Sequence, residues 1–164
     1  MSLSIGVEIE GVALRRATSS APFPLNSDHQ LRLIVDELER NNLPARVYVS
    51  SSTRGTGPNY SVWNVTIDAT VSEVTSGSDT GSSAFRERFG FEVISPILYN
   101  ANANDIEWQQ QLQWGVESIG NAVTWKANSS TGFHLHVGPG SDGGKFSLDS
   151  VKKVAMFFCR FEGK

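Results

Sequence analysis

Hydrophobic and polar residues alternate strictly over residues 3–10, close to the first residue of the chain. The apolar positions of this stretch are Leu3, Ile5, Val7 and Ile9. A period of two is typical of a β-strand that buries one face and leaves the other free for polar groups. The pattern therefore predicts a first strand whose second face carries Glu8 and Glu10.

Three later segments repeat their apolar residues at the spacing of a helix. The first follows a cap at Asn26 or Ser27 and stops at the sequence NNLP, residues 41–44. The second covers residues 105–120, and the third covers about residues 147–161. In this third segment, the stripe that we expect to be buried consists of Leu148, Val151, Val154, Ala155 and Phe158.

Stretches rich in β-branched and aromatic residues predict four more strands, of which three follow one another without a helix between them. These strands lie within residues 45–52, 60–68, 88–98 and 131–138. The third of them stops at Ser95-Pro96. Residues 72–84 contain almost no apolar side chain and predict a flexible loop or insertion. The order of elements favours an α+β fold, with a mainly antiparallel sheet and helices packed on one of its faces.

The length and charge of the chain restrict its class. A chain of 164 residues fits a single domain, 1–164, with a real core. A net charge of -3 and a pI near 5.6 provide no basic field for nucleic acid or an anionic membrane, so we expect neither partner. The sequence has no apolar run of about 18 residues, and its first residues lack the features of a signal peptide, which predicts a cytoplasmic protein.

Glu8 and Glu10 would lie about 6.6 Å apart on one face of the first strand. At an effective dielectric constant of about 20, their mutual repulsion is roughly 2.5 kcal/mol. A divalent cation would remove this repulsion, since Mg²⁺ and Mn²⁺ prefer carboxylate oxygens as ligands. The alternative is a solvent-facing strand with two acids that bind nothing.

Histidines and acids interrupt three other predicted strands. His134 and His136 flank Leu135, Glu92 lies within FGFEVISP, and Asp68 ends WNVTID. An H-x-H pair binds metal in many proteins and is merely exposed or hydrogen-bonded in as many others. A zinc hydrolase would use three nitrogen or sulfur ligands around an open position. Because carboxylates outnumber histidines here, the residues favour a magnesium-type site and phosphate chemistry, with a zinc hydrolase as an alternative.

Several motifs, taken in order, resemble those of one family. IGVEIEG, WNVTID, FGFEVISPIL, TGFHLHVG and the closing LDSVKKVAMFFCRFE are similar in order and spacing to the motifs of the amidoligases. These are small carboxylate-amine ligases, common in fungi, of the glutamine synthetase and glutamate-cysteine ligase superfamily. The resemblance spans nearly the whole chain. It implies a domain like the catalytic domain of glutamine synthetase and ATP-dependent formation of an amide or isopeptide bond through an acyl phosphate.

The resemblance also implies roles for individual residues. The implied ligands of the Mg²⁺ or Mn²⁺ ions that bridge the phosphates of ATP are Glu8, Glu10, Glu92 and His134. His136 would contact phosphate or the acyl phosphate, and Asp68 would position the amine or a metal-bound water. Arg54 and Lys126 are candidates for binding phosphate oxygens, and the alternative for each is a solvated surface charge.

Relatives in this family continue beyond the position of the closing helix, and the superfamily draws substrate-binding arginines and a further metal ligand from that later region. The present chain ends at Glu162-Gly163-Lys164. A truncated or degenerate domain that binds a metal ion or nucleotide without catalysis is therefore the alternative to an active ligase. For the ligase, the expected substrates are a small-molecule or peptide carboxylate and an amine.

Overall fold

The computed structural model of the protein describes residues 3–16, 27–49, 57–71, 85–100, 107–139 and 144–161. These residues form three helices and a mixed, mostly antiparallel sheet of seven strands, which confirms the predicted α+β class. The strands are β1 (Leu3–Arg16), β2 (Ala45–Val47), β3 (Trp63–Ile67), β4 (Phe85–Ile94), β5 (Leu98–Asn100), β6 (Thr124–Lys126) and β7 (Phe133–Gly138). The helices are α1 (Ser27–Arg40), α2 (Glu107–Ala122) and α3 (Leu148–Phe161). Among the described helices, none is both long and apolar enough to cross a membrane.

β1 is the strand around which the sheet is organised. One of its edges pairs with β4 along residues 8–16 and with β5 along residues 3–5. Its other edge pairs with β7 along residues 4–9 and with β6 along residues 12–14. Beyond β4 lie β3, which is antiparallel to β4, and β2, which is parallel to β3. Because β1 is 14 residues long, it brings strands from both halves of the chain beside its two glutamates.

The chain passes from β4 to β5 at Ser95-Pro96, where the sequence predicts the end of a strand. Pro96 has no N–H to donate to the ladder. Ser95 N donates to the carbonyl oxygen of Val7 at 2.8 Å, and Ser95 Oγ accepts from the N–H of Val7 at 2.8 Å. The buried Ser95 therefore fixes β1 at the residue that precedes Glu8.

Helices α1 and α2 pack against one face of the sheet, as predicted. Ile5, Val7 and Ile9 of β1 point into this layer, so the residues between them point to the opposite face. The largest wholly buried side chains are Trp63, Phe91, Leu31, Ile34, Leu38 and Ile119. Burial of each such apolar side chain contributes roughly 1.5–3 kcal/mol. The two helices thus stabilise the sheet from one side and leave polar positions of β1 on the other.

The prediction for the third helix is confirmed in position and wrong in burial. Leu148 is 69% exposed and Val151 is 49% exposed, so these two members of the expected stripe are not covered. The side chains of Val154, Ala155 and Phe158 lie outside the described residues. A helical period identifies an amphipathic helix, but it does not say whether the same chain supplies a surface that covers the apolar stripe.

Some elements escape the sequence pattern altogether. Strands β5 and β6 have three residues each, too few for a period of two to be recognised. β1 continues to Arg16, beyond the predicted end at residue 10. The sequence pattern misses this extension because Val12 and Leu14 bring apolar residues to both faces of the strand and obscure the alternation. The predicted loop at residues 72–84 lies outside the described residues.

Candidate functional site

The face of β1 opposite α1 and α2 carries the polar residues that the sequence singles out. Glu8 lies directly opposite His134 of β7, and Glu10 lies directly opposite Glu92 of β4. His136 follows two positions after His134 and shares its face. Directly opposed residues of antiparallel strands project to the same side, with Cβ atoms about 4.5–5.5 Å apart. We call the surface formed by Glu8, Glu10, Glu92, His134 and His136 the polar face.

The two imidazoles of the polar face lie against the two glutamates of β1. His134 Nδ1 is 3.2 Å from Glu8 Oε2, and His134 Nε2 is 3.7 Å from Glu10 Oε1. His136 Nε2 is 3.2 Å from Glu8 Oε1. At 3.2 Å an imidazole N–H can donate to a carboxylate, and a protonated ring would also reduce the repulsion between the acids. These contacts give a physical reason why two carboxylates can share one face of a strand.

Gly132, just before β7, leaves the space that the ring of His134 occupies. The Gly132 carbonyl oxygen accepts from the N–H of Glu10 at 3.0 Å, which holds this segment close to β1. A Cβ at position 132 would lie 2.5 Å from His134 Nε2 and 3.2 Å from Glu10 Oε2. A Cβ at Gly6, on the same face, would lie 3.6 Å from His136 Cβ, which is an ordinary van der Waals contact. The arrangement therefore depends on glycine at position 132 and tolerates a side chain at position 6.

Glu92 is the member of the polar face whose ionisation is changed most clearly by its surroundings. Burial, followed by the negative charges of Glu8, Asp68 and Glu10, raises the pKa of Glu92 to about 7, while His134 acts in the opposite direction. Burial acts in this way because it removes the water that would stabilise the carboxylate. Glu92 thus belongs to the same electrostatic cluster as the glutamates of β1, and its carboxyl group exchanges a proton near neutral pH.

Asp68, directly after β3, contributes charge to this cluster but has a local partner. Its Oδ1 accepts hydrogen bonds from the N–H and the hydroxyl of Thr70, both at 2.7 Å. The same turn lies close to β4, because a Cβ at Gly90 would be only 2.7 Å from the carbonyl oxygen of Asp68. Asp68 therefore shapes a turn, and its charge still acts on Glu92.

Of the two residues proposed for phosphate binding, one lies beside the polar face. Lys126 of β6 is directly opposite Val12, on the same side of the sheet as Glu10 and two positions further along β1. Its side chain is exposed. Arg54 lies outside the described residues.

Arg46 of β2 shares this side of the sheet, although the sequence analysis does not single it out. Arg46 is paired with Asn64 of β3, Asn64 with Ile94 of β4, and Ile94 with Glu8, so these four residues form one row across the sheet. Arg46 Nε donates to Asn64 Oδ1 at 2.9 Å, and Asn64 is completely buried. Three strand spacings place Arg46 about 14 Å from β1. The alternation in WNVTID signals Asn64 on the same face as Asp68. The alternation in ARVYV, within the strand predicted at residues 45–52, puts Arg46 on the face opposite Val47, but it does not show which side of the sheet that face occupies.

A cavity of about 310 Å³ opens beside the polar face, next to Glu8 and His136. We call it the Glu8 cavity. The residues with apolar side chains that line it are Ile5, Val7, Tyr60, Ile94, Ile97 and Val137. Small-molecule sites begin at about 300 Å³, so this cavity suits a ligand of about amino-acid size.

The donor set of the polar face suits a hard divalent cation, but the side chains as they stand do not form a metal site. Carboxylate oxygens are the ligands that Mg²⁺ prefers. Within the described ranges, no group of three or more His, Cys, Asp or Glu side chains is arranged to hold a metal ion. The rings of His134 and His136 lie against the carboxylate of Glu8, and these rings are 51% and 63% exposed. A cation would therefore have to displace exposed imidazoles, which have little packing to lose.

Comparison with protein families gives one match. A family model described as "Putative amidoligase enzyme" matches residues 1–163, which include every strand and helix named above. Comparisons with curated proteins and with solved structures found no significant match.

Proposed function

The chain belongs to the amidoligase family, and on that premise we propose that it is a carboxylate-amine ligase that depends on ATP and a divalent metal ion. The family match supports ligase activity in general. The observation that carries the finer proposal is the convergence of Glu8, Glu10, Glu92 and His134 on one face of the sheet. We further propose that this sheet corresponds to the catalytic sheet of glutamine synthetase.

The proposed reaction has two steps. A carboxylate oxygen of the acid substrate attacks the γ-phosphorus of ATP, and the bond to the bridging oxygen of ADP breaks. The nitrogen of the amine substrate then attacks the acyl carbon, the bond between this carbon and the phosphate oxygen breaks, and inorganic phosphate leaves with the electron pair. The nitrogen gives up one proton to a base. Such a reaction needs positioning and charge neutralisation more than a protein nucleophile.

The residues of the polar face suit these tasks. Glu8, Glu10 and Glu92, together with His134, are the proposed ligands of Mg²⁺ or Mn²⁺, and the ring of His134 would have to move far enough from the carboxylates to leave room for the ion between them. When bound, the ion would neutralise charge on the phosphate oxygens. Lys126, beside Glu10 on the same face, is a proposed partner of a phosphate oxygen, and so is Arg54.

His136 and Asp68 are proposed to act on the amine. His136 Nε2 is 3.2 Å from Glu8 Oε1 at the entrance to the Glu8 cavity, where it could accept the proton that the nitrogen releases or contact the phosphate. Asp68 would contribute negative charge that favours a cationic amine. Together with burial, the same charge already raises the pKa of Glu92. Its hydrogen bonds with Thr70 limit how far this carboxylate can move.

The test is the dependence of ADP formation on both substrates. Purified protein is incubated with ATP, Mg²⁺ and pools of carboxylic acids and amines, each pool being omitted in turn. We expect ADP and phosphate only when an acid and an amine are both present, with loss of at least about a hundredfold in Glu10→Gln. Glu117→Gln, the same substitution at an exposed position of α2 on the other side of the sheet, serves as the matched control. Release of phosphate that is indifferent to acid and amine would contradict the proposal.

A second candidate is a domain that binds a metal ion or nucleotide without catalysis. The observation in its favour is the negative charge of the polar face: together with burial, Glu8 and Glu10 raise the pKa of Glu92, and a bound cation would relieve this repulsion whether or not catalysis follows. This candidate predicts tight Mn²⁺ binding that is lost in Glu8→Ala and Glu92→Ala, with no turnover for any pair of substrates. Electron paramagnetic resonance of Mn²⁺ would measure the binding, and any acid-dependent and amine-dependent turnover would exclude the candidate.

A further inference from the structure

We propose that the Glu8 cavity is the binding site for the amine substrate and that it selects a primary amine with a compact apolar side chain. The catalytic meaning of this site rests on the proposed ligase function. The binding itself does not, because it follows from the shape and charge of the cavity.

The size and lining of the Glu8 cavity define the body of the ligand. At about 310 Å³ it lies at the lower limit of small-molecule sites and is too small to enclose a nucleoside triphosphate. Tyr60 and Ile97 line it, and their side chains are 52% and 41% exposed. A ligand that covered these side chains would remove apolar surface from water, which favours a branched aliphatic or aromatic group.

The charge of the Glu8 cavity defines the head group of the ligand. Glu8 is the acidic side chain among the described residues that line it, and none of these lining residues is Lys or Arg. A carboxylate or phosphate would therefore meet the like charge of Glu8 with His136 as its one basic neighbour among the described lining residues, whereas an ammonium group would meet an opposite charge. The cavity favours the amine over the acid substrate and over ATP.

The two carboxylate oxygens of Glu8 allow this residue to contact both the proposed cation and a ligand in the Glu8 cavity. Oε2 lies on the side of His134, toward Glu10 and the proposed cation. Oε1 lies on the side of His136, which lines the Glu8 cavity. An ammonium group held at Oε1 would be next to the proposed phosphate chemistry. It would first give one proton to His136 to become the neutral amine that attacks the acyl carbon, and the second proton would leave with the released phosphate.

Binding is tested without ATP or metal, so that the result does not depend on catalysis. The probes are isopentylamine and 4-methylpentanoate, which share a branched apolar group and differ in the charge of the head group. Chemical-shift titration of the full chain would measure both affinities. We expect isopentylamine to bind at least about tenfold more tightly than 4-methylpentanoate, with shifts at Glu8, His136 and Tyr60. Equal or tighter binding of the acid, or no binding of the amine at millimolar concentration, would overturn the proposal.

Two tyrosines of similar exposure provide the matched variants. Tyr60 lines the Glu8 cavity, whereas Tyr99 of β5 does not, and the two side chains are 52% and 48% exposed. Tyr60→Ala should weaken isopentylamine binding by at least about fivefold, because the ligand loses an aromatic contact, and Tyr99→Ala should change it by less than about twofold. Equal effects of both variants would contradict the assigned location. Amine binding without ligase turnover would support the cavity and contradict the proposed function. Turnover in which isopentylamine neither appears in an amide product nor competes with the other amines would do the reverse.

Discussion

The period of two in β1 places Glu8 and Glu10 on one side of the strand. Imidazoles lie against their carboxylates there, and Gly132 leaves room for one of these rings. At the scale of single residues, the site is therefore a set of compensating contacts between strands. Glu92 adds a carboxyl group that is partly protected from water. Each of these features leads to a different measurable effect.

Gly132→Ala should displace the ring of His134. The added methyl carbon would begin 2.5 Å from Nε2, so the ring has to move away from Glu8 and Glu10. We expect a change of less than about 0.5 kcal/mol in the free energy of unfolding, because the displaced ring is exposed, and a large change in the ring signals of His134 in proton–carbon NMR spectra. Gly6→Ala is the control and should leave these ring signals unchanged. Unchanged signals in Gly132→Ala would show that the ring does not depend on this glycine.

Glu92 should make the metal-free protein less stable as the pH rises. The pKa of Glu92 lies near 7 in the folded state and near 4.5 in the unfolded chain, so between these values the folded state binds more protons. The contribution of Glu92 to stability is present below about pH 4.5 and is lost as the pH rises through 7. Glu92→Gln should therefore be more stable than the parent at pH 8, by roughly 1–2 kcal/mol given the partial exposure of the group, and equal to it near pH 4.5.

Urea denaturation in the presence of EDTA measures this difference at both pH values. A gain from Glu92→Gln that is the same at pH 4.5 and pH 8 would contradict a raised pKa at this position.

At the scale of elements, β1 is held in place by the interrupted strand on its edge. Ser95, between β4 and β5, bonds both backbone groups of Val7 and thereby sets the position of Glu8. Its hydroxyl also donates to the carbonyl oxygen of Pro96 at 2.8 Å. One buried side chain thus replaces part of the ladder where proline interrupts it.

Ser95→Ala should destabilise the protein by roughly 1–3 kcal/mol, because it leaves the buried N–H of Val7 without its acceptor. Hydrogen exchange should show the effect locally, as faster exchange of the Val7 amide than in the parent. Ser61→Ala, at an exposed position, is the control and should cost less than about 0.5 kcal/mol. Unchanged protection of Val7 would show that Ser95 does not hold this part of β1.

Elements with a long, clear period are predictable from this sequence, and short ones are not. The alternation of Ile5, Val7 and Ile9 is sufficient to place both glutamates on the opposite face. It cannot supply the register that puts Glu8 beside His134, since register is set by all the strand contacts together. Arg46 is missed for the related reason that the strand predicted at residues 45–52 does not reveal its partner strand, so the row that joins Arg46 through Asn64 to Glu8 is visible only in the register. Leu148 shows the opposite case: it belongs to a clear helical period, yet its side chain is 69% exposed.

At the scale of the whole molecule, the sheet separates stability from chemistry. The helix layer of α1 and α2 packs on the side of Ile5, Val7 and Ile9, and the polar face with its adjoining cavity lies on the other side of β1. Substitutions on the polar face can therefore abolish turnover while the helix layer stays intact. This separation makes it practical to test the proposed chemistry with variants that still fold.

If the polar face joins an acid to an amine through an acyl phosphate, as we propose, one oxygen atom of the acid must pass to the released phosphate. Carboxylic acids labelled with ¹⁸O in the carboxylate are incubated with the protein, ATP, Mg²⁺ and an amine pool that includes isopentylamine, and the released phosphate is analysed by mass spectrometry. The account predicts one ¹⁸O atom in each phosphate released, together with an amide product, and loss of both in Glu10→Gln. Phosphate that carries no ¹⁸O, or that forms without amide, would contradict it.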